Sequence, residues 1–199
     1  MAFRAPRLDV PIDVEEHISH LPEGATIKGY CFQSAIKWAE EVKGSGLDIL
    51  GEAGVSQTRF SAFLDYPYAD FMRVAVTAAR LGKPHQAAGK SLYDIGLFLY
   101  SSILDLHFGK IYFAVIGNDL HRIGKSGAKA WGVTLNFGKV EYEETGPTSF
   151  VYRFRDLPAF LETYQYGIIT GGVIPAVQDP TIEIDLHDIG NADFLVSWT

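Results

Sequence analysis

The spacing of apolar residues changes near Gly132, and this change decides which class of fold is open to the chain. Before Gly132, apolar residues recur at intervals of three and four, which is typical of amphipathic helices. After Gly132 they alternate with polar residues, which is typical of strands with one buried face. The sequence therefore predicts an α+β fold, with a helical N-terminal half packed on a four- to five-stranded antiparallel sheet.

The first predicted hairpin pairs residues 139–144 with residues 149–155. In this register Glu141 lies opposite Arg153, and the apolar side chains of both strands share one face. A shift by one residue would place glutamate side chains beneath aromatic rings, so the apolar pattern specifies the pairing. We expect residues 133–137 to add a further strand ahead of this hairpin.

A second predicted hairpin ends the chain and pairs residues 182–186 with residues 194–198. Between the two hairpins, Pro158 is expected to open a helix that runs to Val173, because proline is tolerated in the first helical turn. This helix would cross the sheet from one hairpin to the other.

The N-terminal half is predicted to be helical after an irregular start. Residues 1–28 contain Pro6, Pro11 and Pro22 with no sustained period, so we expect an arm that lies over a single domain at residues 29–199. The predicted helices cover residues 12–19, 29–43, 47–53, 65–81, 92–108, 111–116 and 119–131.

The helix predicted at residues 92–108 carries apolar residues on every face. A helix of this kind is buried, so we interpret it as the central helix of the domain. Asp94 and Asp105 interrupt the apolar run, whereas a membrane span needs about 20 predominantly apolar residues. We therefore expect no membrane span.

Composition excludes several functional classes. The 199 residues include 17 Lys and Arg against 24 Asp and Glu, and the resulting net charge of −7 disfavours general binding to nucleic acid or anionic lipid. The single Cys31 excludes an internal disulfide and a multi-cysteine metal site. The first residues lack the apolar run of a secretory signal, so we expect a cytoplasmic protein.

The sequence shows no recognisable catalytic motif. Gly124-Lys125-Ser126 resembles the end of a phosphate-binding loop, but Asp119 stands where that loop needs a glycine. There is no Gly-x-Ser-x-Gly motif, and Cys31 lies on a helix face where a buried thiol is the common outcome. We therefore expect a protein that is not an enzyme.

Glycines within the predicted helices suggest a ligand pocket. Each lowers helix propensity by about 1 kcal/mol relative to alanine, so we attribute them to the close approach of a neighbouring backbone or of a ligand. Volume left unfilled beside them would form a cavity between the central helix and the sheet, lined by aromatic residues. The candidate ligand-binding residues are Tyr93, Gly96, Tyr100, Phe113, His121, Trp131, Gly167 and Gly171.

His121 supports a second hypothesis. It lies between the central helix and the first hairpin, and a neutral imidazole is a good ligand for haem iron. A single histidine near a core is more often a structural group whose hydrogen bonds are satisfied. Both interpretations therefore stay open.

Several segments give the chain a resemblance to a known group of proteins. They are Ile27-Lys28-Gly29-Tyr30-Cys31-Phe32, Tyr66-Pro67-Tyr68-Ala69-Asp70-Phe71, Asn136-Phe137-Gly138-Lys139-Val140-Glu141 and Tyr164-Gln165-Tyr166-Gly167. Through these segments, the chain from about Gly24 to its end resembles a paralogous family of uncharacterised proteins of similar size that is abundant in myxobacteria. None of the segments is catalytic, so the resemblance concerns the fold.

The order of elements is also similar, more distantly, to the ligand-binding fold of nitric-oxide signalling and Golgi transport. This group includes haem nitric-oxide-binding domains, 4-vinyl-reductase-type domains and vesicle-tethering subunits. The resemblance implies a non-catalytic domain, often dimeric, with a pocket between helices and sheet. It also implies that His121 takes a place comparable to the axial histidine of the haem members, whose Tyr-x-Ser-x-Arg motif is replaced here by Tyr152-Arg153-Phe154-Arg155.

The leading hypothesis is a non-catalytic protein without a cofactor. It would bind an apolar small molecule such as a lipid, or act as an adaptor or regulatory protein for a protein partner, and we expect it to form a homodimer. The alternative hypothesis is a haem-based gas sensor with His121 as the axial ligand. An enzyme with an unrecognised site ranks last, because the sequence shows no nucleophile paired with a base.

Overall fold

The N-terminal half of the chain is helical, as predicted. The structure is a computed structural model that describes residues 2–105 and 117–199. The elements up to residue 105 are α1 (Val14–Ser19), β1 (Thr26–Lys28), α2 (Gly29–Lys43), α3 (Ile49–Glu52), β2 (Asp65–Pro67), α4 (Tyr68–Gly82) and α5 (Ala88–Asp105). The helix predicted at residues 111–116, and the last residues of the one predicted at 92–108, lie outside the described residues.

The C-terminal half is built around a four-stranded antiparallel sheet. Its elements are α6 (Leu120–Thr134), β3 (Lys139–Gly146), β4 (Ser149–Arg155), a π-helix (Leu161–Gln165), α7 (Tyr166–Val173), β5 (Thr181–Leu186) and β6 (Ala192–Ser197). The strand order is β3-β4-β6-β5, so the two hairpins meet where β4 pairs with β6. The predicted α+β class, with a helical segment between two C-terminal hairpins, is confirmed.

The register predicted for the first hairpin is also confirmed. Glu141 pairs with Arg153, as the alternation of polar and apolar residues required. The rings of Phe150 and Phe154 lie on the opposite face of β4 and are fully buried. One face of the hairpin therefore belongs to the core, and the other carries the charged pairs.

Two predicted boundaries are wrong. Residues 133–137 do not form a strand, because the amide of Leu135 still donates to the carbonyl of Trp131 and continues the last turn of α6. Asp65–Pro67 does not begin a helix but forms β2, which pairs with β1, and the Asp65 carboxylate accepts a hydrogen bond from Lys28 at 2.9 Å. At Asp65–Pro67 the pairing with a strand distant in sequence overrides a local signal, whereas residues 133–137 follow the helix that precedes them.

Helix α5 is the central helix, as its apolar pattern predicted. It packs against α2, α4, the π-helix and α7. Its polar side chains have partners in neighbouring segments: the Asp94 carboxylate accepts a hydrogen bond from Lys83 at 2.7 Å, and the Ser102 hydroxyl accepts one from Ser34 at 3.2 Å. These contacts explain how polar residues are accommodated in a helix that is otherwise apolar.

The backbones of α5 and of the π-helix with α7 lie in direct contact. A Cβ atom at Gly96 would lie 2.2 Å from the carbonyl oxygen of Tyr164, and one at Gly167 would lie 2.2 Å from that of Tyr93. A Cβ atom at Gly171 would lie 2.9 Å from a backbone oxygen of α5. Glycine is required at these positions because any side chain would push the two segments apart.

The prediction that Pro158 opens the helix after β4 is wrong. The chain turns tightly there, and the amide of Ala159 donates to the carbonyl of Leu157 at 2.7 Å. Phe160 then adopts a left-handed conformation with φ 53° and ψ 53°, which costs a residue with a Cβ atom about 1–2 kcal/mol. Only after this turn does the chain wind into the π-helix at Leu161–Gln165, whose residues are all buried.

The segment predicted as an arm, residues 1–28, lies against the domain at several points. Arg4 forms an isolated antiparallel bridge with Ile184 of β5, and its guanidinium pairs with the carboxylate of Glu162 in the π-helix. Strand β1 belongs to the same segment and pairs with β2. The division into an arm and a domain at residue 29 stays a prediction.

The contact between α5 and α7 can be tested with Gly167→Ala. The added methyl group would overlap the backbone of α5, so we expect the free energy of unfolding to fall by about 1–3 kcal/mol. Gly132→Ala in α6 is the matched control, since a Cβ atom there meets nothing within 4 Å. The control substitution should raise the free energy of unfolding by about 0.5–1 kcal/mol, because alanine has a higher helix propensity than glycine. Urea unfolding followed by circular dichroism measures both changes, and equal effects would contradict the close contact.

The ion pair of Glu162 predicts a dependence of stability on pH. Burial raises the pKa of the Glu162 carboxyl, but hydrogen bonds from Arg4 and from the amide of Arg7 outweigh it and lower the pKa below its ordinary value of 4.5. Because the folded-state pKa is the lower one, the stabilisation is complete above pH 4.5 and is lost as pH falls through the folded-state pKa.

The matching variant is Glu162→Gln, which keeps an acceptor but removes the charge. We expect it to lower the free energy of unfolding at pH 7 by about 1.5–3 kcal/mol, the usual range for a hydrogen bond to a charged group. The difference between wild type and variant should narrow below pH 4.5. Urea titrations at a series of pH values test this, and a constant difference would contradict it.

Candidate functional site

Most of the residues predicted to bind a ligand meet at one helix contact. Tyr93, Gly96 and Tyr100 lie on α5, and they face Gly167 and Gly171 of α7. The sequence left open whether a ligand or a neighbouring backbone approaches these glycines. In the structure the backbone of the opposite segment occupies the space beside them. Ligand binding by this set stays a prediction, and Phe113 lies outside the described residues.

Trp131 and His121 lie apart from that contact, on α6. The Trp131 ring is buried and packs edge-on against Tyr152, and its indole Nε1 donates to Gln165 Oε1 at 2.8 Å. Because Gln165 belongs to the π-helix, this hydrogen bond joins the helical segment to α6. Trp131 therefore has a structural partner for its only polar atom.

His121 lies in the first turn of α6 with both ring nitrogens in hydrogen bonds. Nδ1 is 2.7 Å from the hydroxyl oxygen of Tyr142 in β3, and Nε2 is 3.0 Å from the carbonyl oxygen of Pro147 in the β3–β4 turn. The carboxylate of Asp119 caps the helix by accepting from the backbone amide of His121 at 2.9 Å. The imidazole thus connects α6 to the first hairpin.

Helix α6 lies directly on the sheet. A Cβ atom at Gly124 would lie 2.7 Å from the ring of Tyr142, and one at Gly127 would lie 2.5 Å from the hydroxyl of Tyr152. That hydroxyl donates to the carbonyl of Gly124 at 2.8 Å. Aromatic rings of the sheet therefore fill the space beneath the helix.

A cleft opens beyond the contact between α5 and α7, at the C-terminal end of α7. Its volume is about 540 Å³, which is within the range of small-molecule sites. It is lined by Tyr166, Thr170, Ile174, Pro175, Ala176, Val177, Gln178, Asp179, Pro180 and Ile182. The lining combines one side of α7, the loop that follows it and the edge strand β5.

The cleft combines apolar and polar groups in similar proportion, since Gln178 and Asp179 lie beside its apolar side chains. Its inner wall carries the phenol of Tyr166, whose pKa is raised by burial, so this hydroxyl stays protonated at neutral pH. The Thr170 hydroxyl donates to the backbone carbonyl of Tyr166 at 2.8 Å. The ring of Tyr166 also lies 4.9 Å from that of Tyr93, which places the cleft next to the predicted set. The cleft can offer an apolar ligand several apolar side chains and a few hydroxyl groups.

The pattern of residues around this cleft is only an indirect signal for it. The loop after α7 contains Pro175 and Pro180, which identify irregular chain but not a cavity. Ile174 is half exposed in the structure although it continues the apolar pattern of α7. An apolar residue that a helix leaves uncovered beside a proline-containing loop was the available clue.

Cys31 is a buried structural residue, as predicted. Burial strongly raises the pKa of its thiol, which forms hydrogen bonds with the hydroxyls of Tyr164 and Tyr30. A thiol in this environment stays protonated and does not act as a nucleophile. Tyr68 is also buried, and its pKa is raised by burial too. These groups belong to the core between α2, α4 and the π-helix.

In residues 2–105 and 117–199 no His, Cys, Asp and Glu side chains form a group of three or more that could hold a metal ion. Within the same part of the chain, no helix has both the length and the apolar character that crossing a membrane requires.

The fold resembles that of H-NOX domains. An oxygen-binding H-NOX domain related to soluble guanylate cyclases matches with a TM-score of 0.67 and 12% identity, over 86% of this chain and 94% of that one. The H-NOX protein from S. oneidensis in the Fe(II)NO state gives 0.66 and 9%, over 87% and 99%. The unliganded Fe(II) H-NOX protein from K. algicida gives 0.60 and 13%, over 86% and 96%. At this identity the likeness shows the fold, and it confirms the distant resemblance to nitric-oxide signalling domains.

The chain belongs to the family described as "Protein of unknown function (DUF2378)", which matches residues 25–199. No curated protein matches the chain. Family membership therefore extends over both halves of the fold and leaves out most of the predicted arm.

The residues around His121 do not fit a haem group. Neither nitrogen of its imidazole is free to bind iron, because Nδ1 lies 2.7 Å from the hydroxyl oxygen of Tyr142 and Nε2 lies 3.0 Å from the carbonyl oxygen of Pro147. The rings of the sheet lie against α6 at Gly124 and Gly127, so no slot for a flat macrocycle separates helix from sheet at that position. The residue pattern Tyr152-Arg153-Phe154-Arg155 also lacks the serine of the haem members.

A structural role for His121 has a direct test. We expect His121→Ala to lower the free energy of unfolding by about 1–3 kcal/mol, because two hydrogen bonds between α6 and the hairpin are lost. Titration of the purified protein with haemin should give the same absorbance spectrum for wild type and variant. A Soret band that depends on His121 would contradict this interpretation.

Proposed function

We propose that the chain is a non-catalytic binding protein whose cleft beside α7 takes an apolar small molecule. The observation that carries the proposal is the composition of the cleft wall, where Ile174, Val177 and Ile182 are combined with the hydroxyl of Tyr166. Binding sites for small molecules are typically concave, mainly apolar and supplied with a few polar groups that orient the ligand.

The fold supports a binding role, and so does the absence of a visible reactive pair among the residues that the structure describes. H-NOX domains with the same fold include one described as oxygen-binding, so the fold is suited to holding a small molecule. In the described ranges, the one thiol is buried and protonated, and His121 is engaged in structural hydrogen bonds. Haem-based gas sensing through His121 is the weaker alternative, because both of its ring nitrogens already have partners.

The proposal also includes a homodimer in the cytoplasm that serves a regulatory role. An apolar surface that supports self-association lies just before β2, where Phe63 and Leu64 are 62% and 59% exposed. Adjacent exposed apolar side chains of this size often mark contact surfaces.

Native mass spectrometry compared with denaturing mass spectrometry tests the ligand and the stoichiometry together. We expect the native spectrum to show a dimer with additional mass that is lost on denaturation and is identified as an apolar compound. Ala176→Phe would fill part of the cleft, so this variant should retain at least about tenfold less of the compound. A tenfold change corresponds to a loss of roughly 1.4 kcal/mol of binding free energy.

Val133→Phe is the matched control, because Val133 is 73% exposed on α6 and away from the cleft. It should retain the compound as the wild type does. Equal retention by both variants would contradict the cleft as the binding site. A monomer at high micromolar concentration would contradict the dimer alone.

A further inference from the structure

The arm occupies the outer edge of β5. The amide of Arg4 donates to the carbonyl of Ile184 at 3.0 Å, and the amide of Ile184 donates back to the carbonyl of Arg4 at 2.8 Å. Close to the N-terminus, the amide of Ala2 donates to the carboxylate of Asp185 at 3.2 Å. The arm thus adds a short antiparallel bridge to an edge strand that would otherwise present unpaired backbone groups.

The arm also supplies the partners of a nearly buried carboxylate. The Glu162 side chain is only 8% exposed. Its Oε1 atom pairs with the guanidinium of Arg4, accepts from the amide of Arg7 at 2.8 Å and lies 3.5 Å from Nε of Arg7. Each of these donors comes from the arm. If the arm detached, the Glu162 carboxylate would lose these partners, and an unpaired buried charge is costly.

A glycine allows the arm to lie against α5, in a channel between that helix and β5. A Cβ atom at Gly89, in the first turn of α5, would lie 2.7 Å from the carbonyl oxygen of Leu8 and 3.0 Å from Cγ2 of Thr163. The channel is therefore bounded by β5 on one side, by α5 on the other and by the π-helix beneath.

The hold of the arm on β5 is nevertheless short. Among the described residues of the arm only Arg4 pairs with the strand, whereas β5 has six residues from Thr181 to Leu186. Pro6 follows two residues later and has no amide to continue the ladder. The family match begins at residue 25, near the end of the arm and well after residues 2–8. The residues that line the channel, among them Gly89, Glu162 and Ile184, lie within the family match, whereas residues 2–8 lie outside it.

We propose that this channel is a docking groove for an extended segment carrying an arginine, and that residues 2–8 are its resident, exchangeable occupant. The groove recognises a backbone that pairs with Ile184, an arginine that reaches Glu162, and an amide three residues later that donates to the same carboxylate. This is recognition by strand addition, with the carboxylate supplying specificity. A partner segment with the same chemistry gains access by displacing the arm.

A labelled peptide with the sequence of residues 2–9 tests the groove in the full-length chain. In wild type the covalently attached arm competes at a high effective concentration, so the peptide should bind weakly. Arg4→Glu repels Glu162 and releases the arm without shortening the chain. Fluorescence anisotropy should then show binding at least about tenfold tighter than to wild type.

Two matched controls show whether the groove is the binding site. Adding Glu162→Gln to the Arg4→Glu chain should abolish the gain, and a peptide carrying Arg4→Glu should not bind either variant. Circular dichroism confirms that the variants fold. Equal binding of the peptide to wild type and to Arg4→Glu, or no binding to either, would overturn the proposal.

Hydrogen exchange on the unmodified chain gives an independent measurement. If the arm detaches, the paired amides of Arg4 and Ile184 should exchange at least about tenfold faster than the amide of Phe194 in the sheet interior, because local opening requires less free energy than global unfolding. If the amides of Arg4 and Ile184 were as well protected as that of Phe194, the proposal that the arm detaches would be overturned, whatever the result with the peptide. The cleft beside α7 is not involved, so this result does not bear on the ligand proposal.

Discussion

The direct backbone contact between α5 and the π-helix with α7 is the constraint on which the rest of the structure depends. At Gly96 and at Gly167, the backbone of the opposite segment lies so close that it leaves no room for a Cβ atom. This approach fixes α5 at the centre, where it also meets α2 and α4. The same contact holds α7 against α5, and the loop that lines the cleft and then β5 follow α7 in the chain.

The fold was largely predictable because its main signals are periodic. The alternation in β3 and β4 determined which residues pair, since only one register buries the rings of Phe150 and Phe154. The π-helix and the left-handed Phe160 were not predictable, because no local pattern distinguishes them from an ordinary helix start. Strand β2 was missed for a related reason, since its partner β1 lies far away in sequence.

The candidate site was less accessible to sequence reasoning than the fold. A glycine in a helix indicates that something approaches closely, but Gly96 and Gly167 give no information on whether it is a ligand or a backbone. The hydrogen bonds of His121 reach Tyr142 and Pro147, 21 and 26 residues away, so its structural role became visible only in three dimensions. The cleft is formed by an irregular loop, and irregular segments carry little pattern.

The bridge between Arg4 and Ile184 joins residues that are 180 positions apart in sequence. During synthesis residues 2–8 leave the ribosome well before β5 does. These residues therefore cannot pair with β5 until the strand has been made. Their docking is a late step in the folding of a nascent molecule.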